Sequence, residues 1–295
     1  MLLIFLAMFL LICYCVSAFA YRQTDYYKTT HKSFFAMRFD KGNYGEYLTD
    51  KYLRDYESDG ARFLYNCYLP KENGETTEID VLMIHRSGVY AFESKNYSGW
   101  IFGSENQKNW TQTLPSGRKC HKEHFLNPIL QNKLHIRCLK KQIGEDIPVH
   151  SVIVFSERCT LKKIDLQSSD IYVIKRDAVQ RTVKSIHQKE NVLMSQGQVD
   201  EIYAKLYPFT QVTDEAKQKH IQDITVAHAG PERILSDEQC IPDRIEDDPV
   251  CPKCGGKLVL RTASKGTHVG EQFYGCMNFP KCRYTKKVTA QEKAQ

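Results

Sequence analysis

The chain has 295 residues, of which 42% are hydrophobic and 26% charged, with 16 Gly and 10 Pro. This excludes a collagenous, low-complexity or wholly disordered chain and leaves room for one large domain or two to three smaller ones. The net charge of +6 comes from 41 Lys and Arg against 35 Asp and Glu, and it is unevenly spread. Residues 251–295 hold nine basic and two acidic residues, a surplus of +7, which leaves the first 250 residues at −1. Attraction to a polyanion should therefore be strongest in the last 45 residues.

From Leu2 to Ala20 there is no charge, and only Tyr14 and Ser17 soften an otherwise apolar run. About 20 helical residues span roughly 30 Å, enough to cross a bilayer core. Two readings compete. Ala18-Phe19-Ala20 has the small residues of a signal-peptidase site, but the basic n-region is missing. The other reading is an uncleaved anchor over residues 1–20. Arg22, Lys28 and Lys32 follow the run and no Lys or Arg precedes it. The positive-inside rule then puts the body in the cytoplasm, on a single pass through the inner (cytoplasmic) membrane. This is the favoured expectation, with export after signal cleavage as the alternative. Residues 21–39 are polar and aromatic and read as a juxtamembrane linker.

A helix is expected from Gly42 through Leu53, on apolar residues spaced three to four apart. Strands follow at Phe63–Leu69 and Thr77–His85. After a turn at Arg86-Ser87-Gly88, a returning strand runs from Val89 to Ser94. Trp100 to Leu114 is less regular, and Ser116-Gly117 marks a loop. Asn127-Pro128 opens a helix carrying Ile129, Leu130, Leu134, Ile136 and Leu139. Strands at Val149–Phe155 and Ile171–Ile174 and a helix at Arg176–Ile186 complete a mixed α/β domain. Helical stretches are expected near 195–206 and 213–224. The resulting division is a core at 40–155, an α/β and helical extension at 156–236 and an acidic linker at 237–249, with a small module at 250–287 and a tail at 288–295.

The chemistry concentrates on the hairpin. Asp80 sits mid-strand among apolar neighbours, where a carboxylate is costly unless it binds something. Thirteen positions on comes Glu93-Ser94-Lys95, and strand alternation puts Glu93 and Lys95 on one face. With the turn about Arg86-Ser87, Asp80 falls opposite Glu93, the side chains roughly 5 Å apart. Carboxylates that close repel unless a divalent cation lies between them. A lysine beside them can orient or activate water, or stabilise charge on a phosphate. This is minimal equipment for metal-dependent phosphodiester hydrolysis. The bland alternative is a solvent-facing strand edge with a cross-strand salt bridge.

Eleven cysteines, an odd number, count against a fully paired extracellular framework. Cys251 and Cys254 form a Cys-x-x-Cys turn, and Cys276 and Cys282 a second pair about twenty residues later. Two such pairs complete a tetrahedral thiolate site for one structural Zn²⁺, with no open position for catalysis. Reduced zinc thiolates also fit a reducing compartment. Cys120, His121 and His124 lack the second ligand pair of a further metal site.

The sequence resembles the nuclease-related domain family, of the restriction-endonuclease-like superfamily with a PD-(D/E)xK active site. The resemblance rests on Gly42-Asn43-Tyr44-Gly45-Glu46, Glu78-Ile79-Asp80-Val81-Leu82, Val89 through Gly99, and Asn127-Pro128-Ile129-Leu130-Gln131-Asn132. It implies a mixed sheet flanked by helices. It also implies Glu46, Asp80 and Glu93 as acids for Mg²⁺ or Mn²⁺, Lys95 as catalytic base or charge stabiliser, and Gln131 as a supporting residue. The superfamily's proline is replaced by Ile79. The tail resembles the C-terminal zinc ribbon of bacterial type IA topoisomerases, which bind single-stranded DNA. There Phe273, Tyr274, Phe279 and Tyr284 alternate with Lys257, Arg261, Lys281 and Arg283, the mixture of stacking faces and cations that a single strand needs. The expectation is a membrane-tethered, metal-dependent DNA nuclease with a zinc-ribbon grip. The alternatives are a catalytically idle DNA-binding or tethering protein, or a partner-binding scaffold at the membrane.

Overall fold

In the computed structural model the apolar N-terminal run is one helix, α1 (Leu2–Arg22). Its apolar side chains face outward, and only 6% of the candidate span Ile4–Arg22 is buried. The stretch expected as a linker holds two short helices instead, α2 (Asp25–Thr30) and α3 (Phe34–Phe39). Thr24 and Ser33 start them by accepting from the backbone N–H groups of Tyr27 and Ala36. Aromatic burial drives the departure: Tyr21 and Tyr26 are 2% and 0% exposed, and their rings pack around Tyr47. The structure describes residues 1–116, 119–190, 193–228, 253, 258–262, 272–276, 280 and 282–287. These fall in two units, Met1–Glu238 and Gln239–Gln295.

The first unit is built on β1 (Arg62–Pro70), β2 (Thr76–His85) and β3 (Gly88–Lys95), which pair antiparallel in sequence. Two strands, β7 (Val149–Phe155) and β9 (Ile171–Lys175), extend the sheet parallel to β3, giving the order β1-β2-β3-β7-β9. Both faces are covered. Tyr65, Val81, Met83, Tyr90, Phe92, Val152 and Val154 face α4 (Lys41–Leu53) and α6 (Val179–Lys189), whose Leu53 and Val183 join the same core. Leu64, Leu82, Ile84, Val89 and Ala91 face α5 (Pro128–Ile143) and α7 (Gln196–Leu206) through Leu139, Val199 and Leu206. A last helix, α8 (Asp214–His228), ends the described part of this unit. This is the expected mixed sheet flanked by helices.

Two motif residues explain how the helices seat. At Gly45 a Cβ would lie 2.9 Å from the Asn96 Cβ and 3.2 Å from the Ser94 Oγ, so only glycine lets α4 approach the end of β3. Buried Asn127 caps α5 by accepting from Ile129 N–H at 2.9 Å, while its amide donates to the carbonyls of Ser104, Glu105 and Gln107. Pro128 then takes the first turn, where no N–H is missed. Farther along, the Asn132 amide donates to Ala91 O and Ser151 Oγ, both at 2.9 Å, hooking α5 to β3 and β7.

The region read as irregular is a second sheet, order β6-β5-β4-β8, from β4 (Gly99–Ser104), β5 (Asn109–Ser116), β6 (Lys119–Leu126) and β8 (Cys159–Asp165). Its anchor is Trp110, fully buried, stacked 6.0 Å from Phe155 at an interplanar angle of 3°. The indole N–H donates to Ser104 O at 2.9 Å. Gly103 lies beneath that ring, where a Cβ would meet it at 2.2 Å.

The second unit holds an antiparallel sheet of β10 (Leu258–Thr262), β11 (Gln272–Cys276) and β12 (Thr285–Lys287). Cys276 and Cys282 are 2% and 6% exposed, with Tyr274 and Tyr284 packed against them. Arg261 and Arg283 are exposed, and Phe273 is half-buried. Cys251, Cys254, Lys257, Phe279 and Lys281 lie outside the described residues.

Trp110→Ala removes the centre of the second sheet's core and should destabilise the protein by about 3–5 kcal/mol, the usual cost of so large a cavity. Urea unfolding of the full chain in detergent checks this. A loss under about 1 kcal/mol would mean the second sheet contributes little.

Candidate active site

The β2–β3 pairing has the expected register. Val81 faces Phe92, and beyond that pair the strand ends carry Asp80 and Glu93, with Asp80 bonded to the backbone of Ser94. Glu93 is 4% exposed. Its Oε1 lies 2.7 Å from Lys95 Nζ, and its Oε2 lies 3.1 Å from His135 Nε2 on α5. The other imidazole nitrogen, Nδ1, meets Thr77 Oγ1 at 2.7 Å. Asp80 Oδ2 accepts from Ser94 N–H at 2.8 Å. The end of the hairpin thus joins Asp80, Glu93 and Lys95 in one cluster, and α5 supplies an imidazole on its far side.

Glu46 reaches the same region from α4 and is 8% exposed. Its Oε2 accepts from Tyr26 OH at 2.9 Å and Asn66 Nδ2 at 3.2 Å, and Lys32 Nζ stands 3.3 Å away. Lys32 also donates to Asn43 Oδ1 at 2.6 Å. Asn66 is a non-glycine residue with φ of 50° in mid-strand, opposite the Asp80 position. That left-handed backbone costs of order 1–3 kcal/mol and marks a position where the side chain's aim matters. The Asn66 Oδ1 is buried without a hydrogen-bond partner, and so is Gln131 Oε1, one turn before His135 on the same face of α5.

Electrostatics follow from this crowding. Burial, then the charges of Glu93 and Glu46, push the Asp80 carboxyl well above the ordinary carboxylate range. Burial alone would raise Glu93 too, but Lys95 and His135 outweigh it and hold that carboxyl down at about 2. For Lys95 burial works toward neutrality, and the carboxylates of Glu93 and Asp80 overcome it, so the ammonium is held more firmly than usual. Glu78, two positions before Asp80 on the same strand face, is raised by burial and by Glu46.

The residue set suits a hard cation in its chemistry: carboxylates beside unpartnered amide oxygens. Among the described residues, however, no three His, Cys, Asp or Glu side chains stand at metal-ligating spacing. Both Glu93 oxygens have nitrogen partners, and Glu46 faces Tyr26, Asn66 and Lys32. In this arrangement ammonium groups do the neutralising. His135, Asn66, Tyr26 and Lys32 were not foreseen from sequence. Only His135 left a signal, four residues after Gln131 and so on the same helix face.

Comparison with known proteins identifies two domains in the chain. Residues 41–156 match the family model described as nuclease-related domain, and residues 248–291 match the topoisomerase DNA binding C4 zinc finger. An uncharacterized protein of Bacillus anthracis is 31% identical over 182 residues, covering 62% of this chain and 82% of that protein. DNA topoisomerase 1 of Methanocaldococcus jannaschii is 38% identical over 66 residues, 21% of this chain. DNA topoisomerase 1 of Campylobacter jejuni is 24% identical over 157 residues, 50% of this chain. The chain spans only 8% and 19% of those two topoisomerases. No solved structure matches. The two domain matches support a nuclease-like, DNA-binding protein. The chain belongs to the nuclease-related domain family and carries a topoisomerase-type C4 zinc ribbon behind that domain.

Proposed function

We propose that the chain is a membrane-tethered, divalent-metal-dependent nuclease that hydrolyses DNA phosphodiester bonds, with the zinc ribbon gripping single-stranded DNA. The observation that carries this reading is the convergence of Asp80, Glu93 and Lys95 at one end of the hairpin, with Asp80 held in an environment that resists its charge. Asp80 and Glu93 would hold Mg²⁺ or Mn²⁺, with Glu46 and Gln131 beside them. The bound ion would supply charge neutralisation for the phosphate and an activated water.

The chain's own residues have separable tasks. Lys95 is a firmly held cation at neutral pH. It therefore suits stabilising negative charge that develops on a phosphate better than taking a proton from water. His135, tied to Thr77, fixes the orientation of the Glu93 carboxylate. Asn132 and Gly45 hold the two helices against β3, so that acids from three elements meet. The second reading, an idle DNA-binding protein, is favoured by one fact: both Glu93 oxygens already have partners.

In the tail, Cys276 and Cys282 would join Cys251 and Cys254 around one structural Zn²⁺. Arg261, Phe273, Tyr274, Arg283 and Tyr284, with Lys257, Phe279 and Lys281, would meet DNA. For the N-terminus an anchor is supported over a cleaved signal. The helix continues unbroken past Ala20, and Tyr21 is buried with its OH donating to Lys32 O at 2.9 Å. The body would face the cytoplasm.

The catalytic test is cleavage of plasmid and single-stranded DNA by the full chain in detergent, with Mg²⁺ or Mn²⁺ and with chelator. Asp80→Asn and Glu93→Gln should abolish cleavage, and Lys95→Ala should slow it by about 10²–10⁴-fold. Full metal-dependent activity in Asp80→Asn would sink the reading, and a wild-type chain inert on every substrate would favour the idle one. A stability measurement gives an independent check. The folded carboxyl of Asp80 lies above its unfolded value, so its ionised form destabilises the metal-free protein increasingly as pH rises past about 3.8. Asp80→Asn should therefore raise the metal-free Tm at pH 7 and remove the further rise that Mg²⁺ gives the wild type. Glu93 shifts the opposite way, its carboxyl held down at about 2, so its contribution to stability is present above about 4.5 and lost as pH falls toward 2.

Deleting residues 250–295 takes away the +7 surplus and should weaken DNA binding and flatten its salt dependence, since backbone binding is largely counterion release. Cys251→Ser should mimic the deletion, because so small a ribbon needs its metal to fold. Fluorescence anisotropy at 50 and 200 mM salt checks both. An unchanged salt slope would assign the ribbon to a protein partner. For the anchor, intact mass of the mature chain should include Met1–Ala20 and the chain should pellet with membranes. An N-terminus at Tyr21 would establish a cleaved signal instead.

A further inference from the structure

Past Arg22, the exposed large hydrophobic residues among those described are Phe35, Phe39, Leu130, Leu193, Tyr207 and Ile221. Of these, Phe35 and Phe39 pair with each other. They are 62% and 67% exposed, and their rings meet at 4.4 Å on the outer face of α3. Two phenylalanines held together in water lose the stabilisation their burial would bring, so a pair like this marks a contact surface.

The neighbouring residue shows where that surface lies. Phe34 packs edge-on against Tyr14 at 5.3 Å and at a tilt against Tyr21 at 5.7 Å. Tyr14 stands eight residues before Arg22 within the apolar helix, about 12 Å up its axis. α3 therefore lies alongside the last two turns of α1, level with residues that would be within the membrane. Around it, residues 21–41 carry Arg22, Arg38 and Lys41 against Asp40, besides Lys28 paired with Asp25 and Lys32 turned onto Glu46. Aromatic rings at the acyl boundary with cations at headgroup level are what a bilayer interface selects.

We propose that α3 is a membrane foot: Phe35 and Phe39 insert at the boundary of acyl chains and headgroups beside α1, and the flanking cations meet anionic lipid. This rests on the reading of α1 as an anchor. The foot also bears on the site, because the short segment between α1 and α3 carries Tyr26 and Lys32, both on Glu46. A foot seated in the bilayer holds that acid at a fixed height above the headgroups, so the nuclease domain is presented in one orientation and does not swing on a loose tether.

The test uses the full chain reconstituted in vesicles of phosphatidylcholine and phosphatidylglycerol. The chain has two tryptophans, Trp100 and Trp110, both on the second sheet of the body. Phe35→Trp should add a blue-shifted emission component that loses more than half its intensity when the lipid is brominated at shallow acyl positions. The parent protein should be unaffected by bromination. Phe35→Ser/Phe39→Ser should keep the wild-type Tm, since both rings are exposed, and in the Phe35→Trp protein Phe39→Ser should reduce the quenching at least twofold. If the chain stays with the vesicles after alkaline wash but Trp at 35 behaves like the parent, the foot is wrong and the anchor stands. If the chain washes off, both are wrong. Cross-linking of position 35 to a second copy would overturn the foot in favour of self-association.

Discussion

Glu46, Asp80 and Glu93 are drawn into one largely buried end of a sheet, and the surroundings of the site are arranged around the cost of that crowding. Isolated carboxylates in such a place would be driven to take up protons. Here two lysines from opposite directions stand against them, Lys95 from the same strand as Glu93 and Lys32 from the segment after α1. Glu93 keeps its charge because it has both Lys95 and His135, while Asp80, with a single backbone donor, is pushed toward neutrality. One acid is satisfied and one is not. The two carboxyls are therefore unequal in how well their charge is met, which is the electrostatic asymmetry of the site.

The architecture serves that end. β3 has β2 antiparallel on one side and β7 parallel on the other, so its last residues project where helices from both faces can reach them. α4 arrives through the contact that Gly45 permits, and α5 is pinned by Asn132. Asn66 adopts a strained backbone to put its amide on Glu46. Three local sacrifices (a glycine in a helix, a buried amide, a left-handed strand residue) thus bring side chains from five elements to one place.

The charge of the chain is divided by task. The first 250 residues are close to neutral and the last 45 are basic, so electrostatic attraction to a polyanion is concentrated in the ribbon while the acids sit in the body. A domain whose site gathers carboxylates would repel nucleic acid on its own. A separate basic module offsets this without adding further lysines around the acids that Lys95 and Lys32 already meet.

Features that depend on local periodicity were legible in the sequence alone. Strand alternation put Glu93 and Lys95 on one face, and the turn at Arg86-Ser87 set the register that brings Asp80 opposite Glu93. Asn127-Pro128 announced the start of α5, and the spacing of Cys276 and Cys282 marked the ribbon. The second sheet was not legible, because its inward pattern depends on a packing exchange: Gly103 is empty so that Trp110 can fill the space. Glycine and scattered polar residues in a strand look like a loop until the ring that occupies the gap is known. The partners of the acids were hidden for a similar reason. Tyr26 and Asn66 each lie twenty residues from Glu46, and His135 lies forty-two from Glu93. At such separations no helical or strand period relates the residues, and only the closing of the sheet and the docking of its helices decide that they touch.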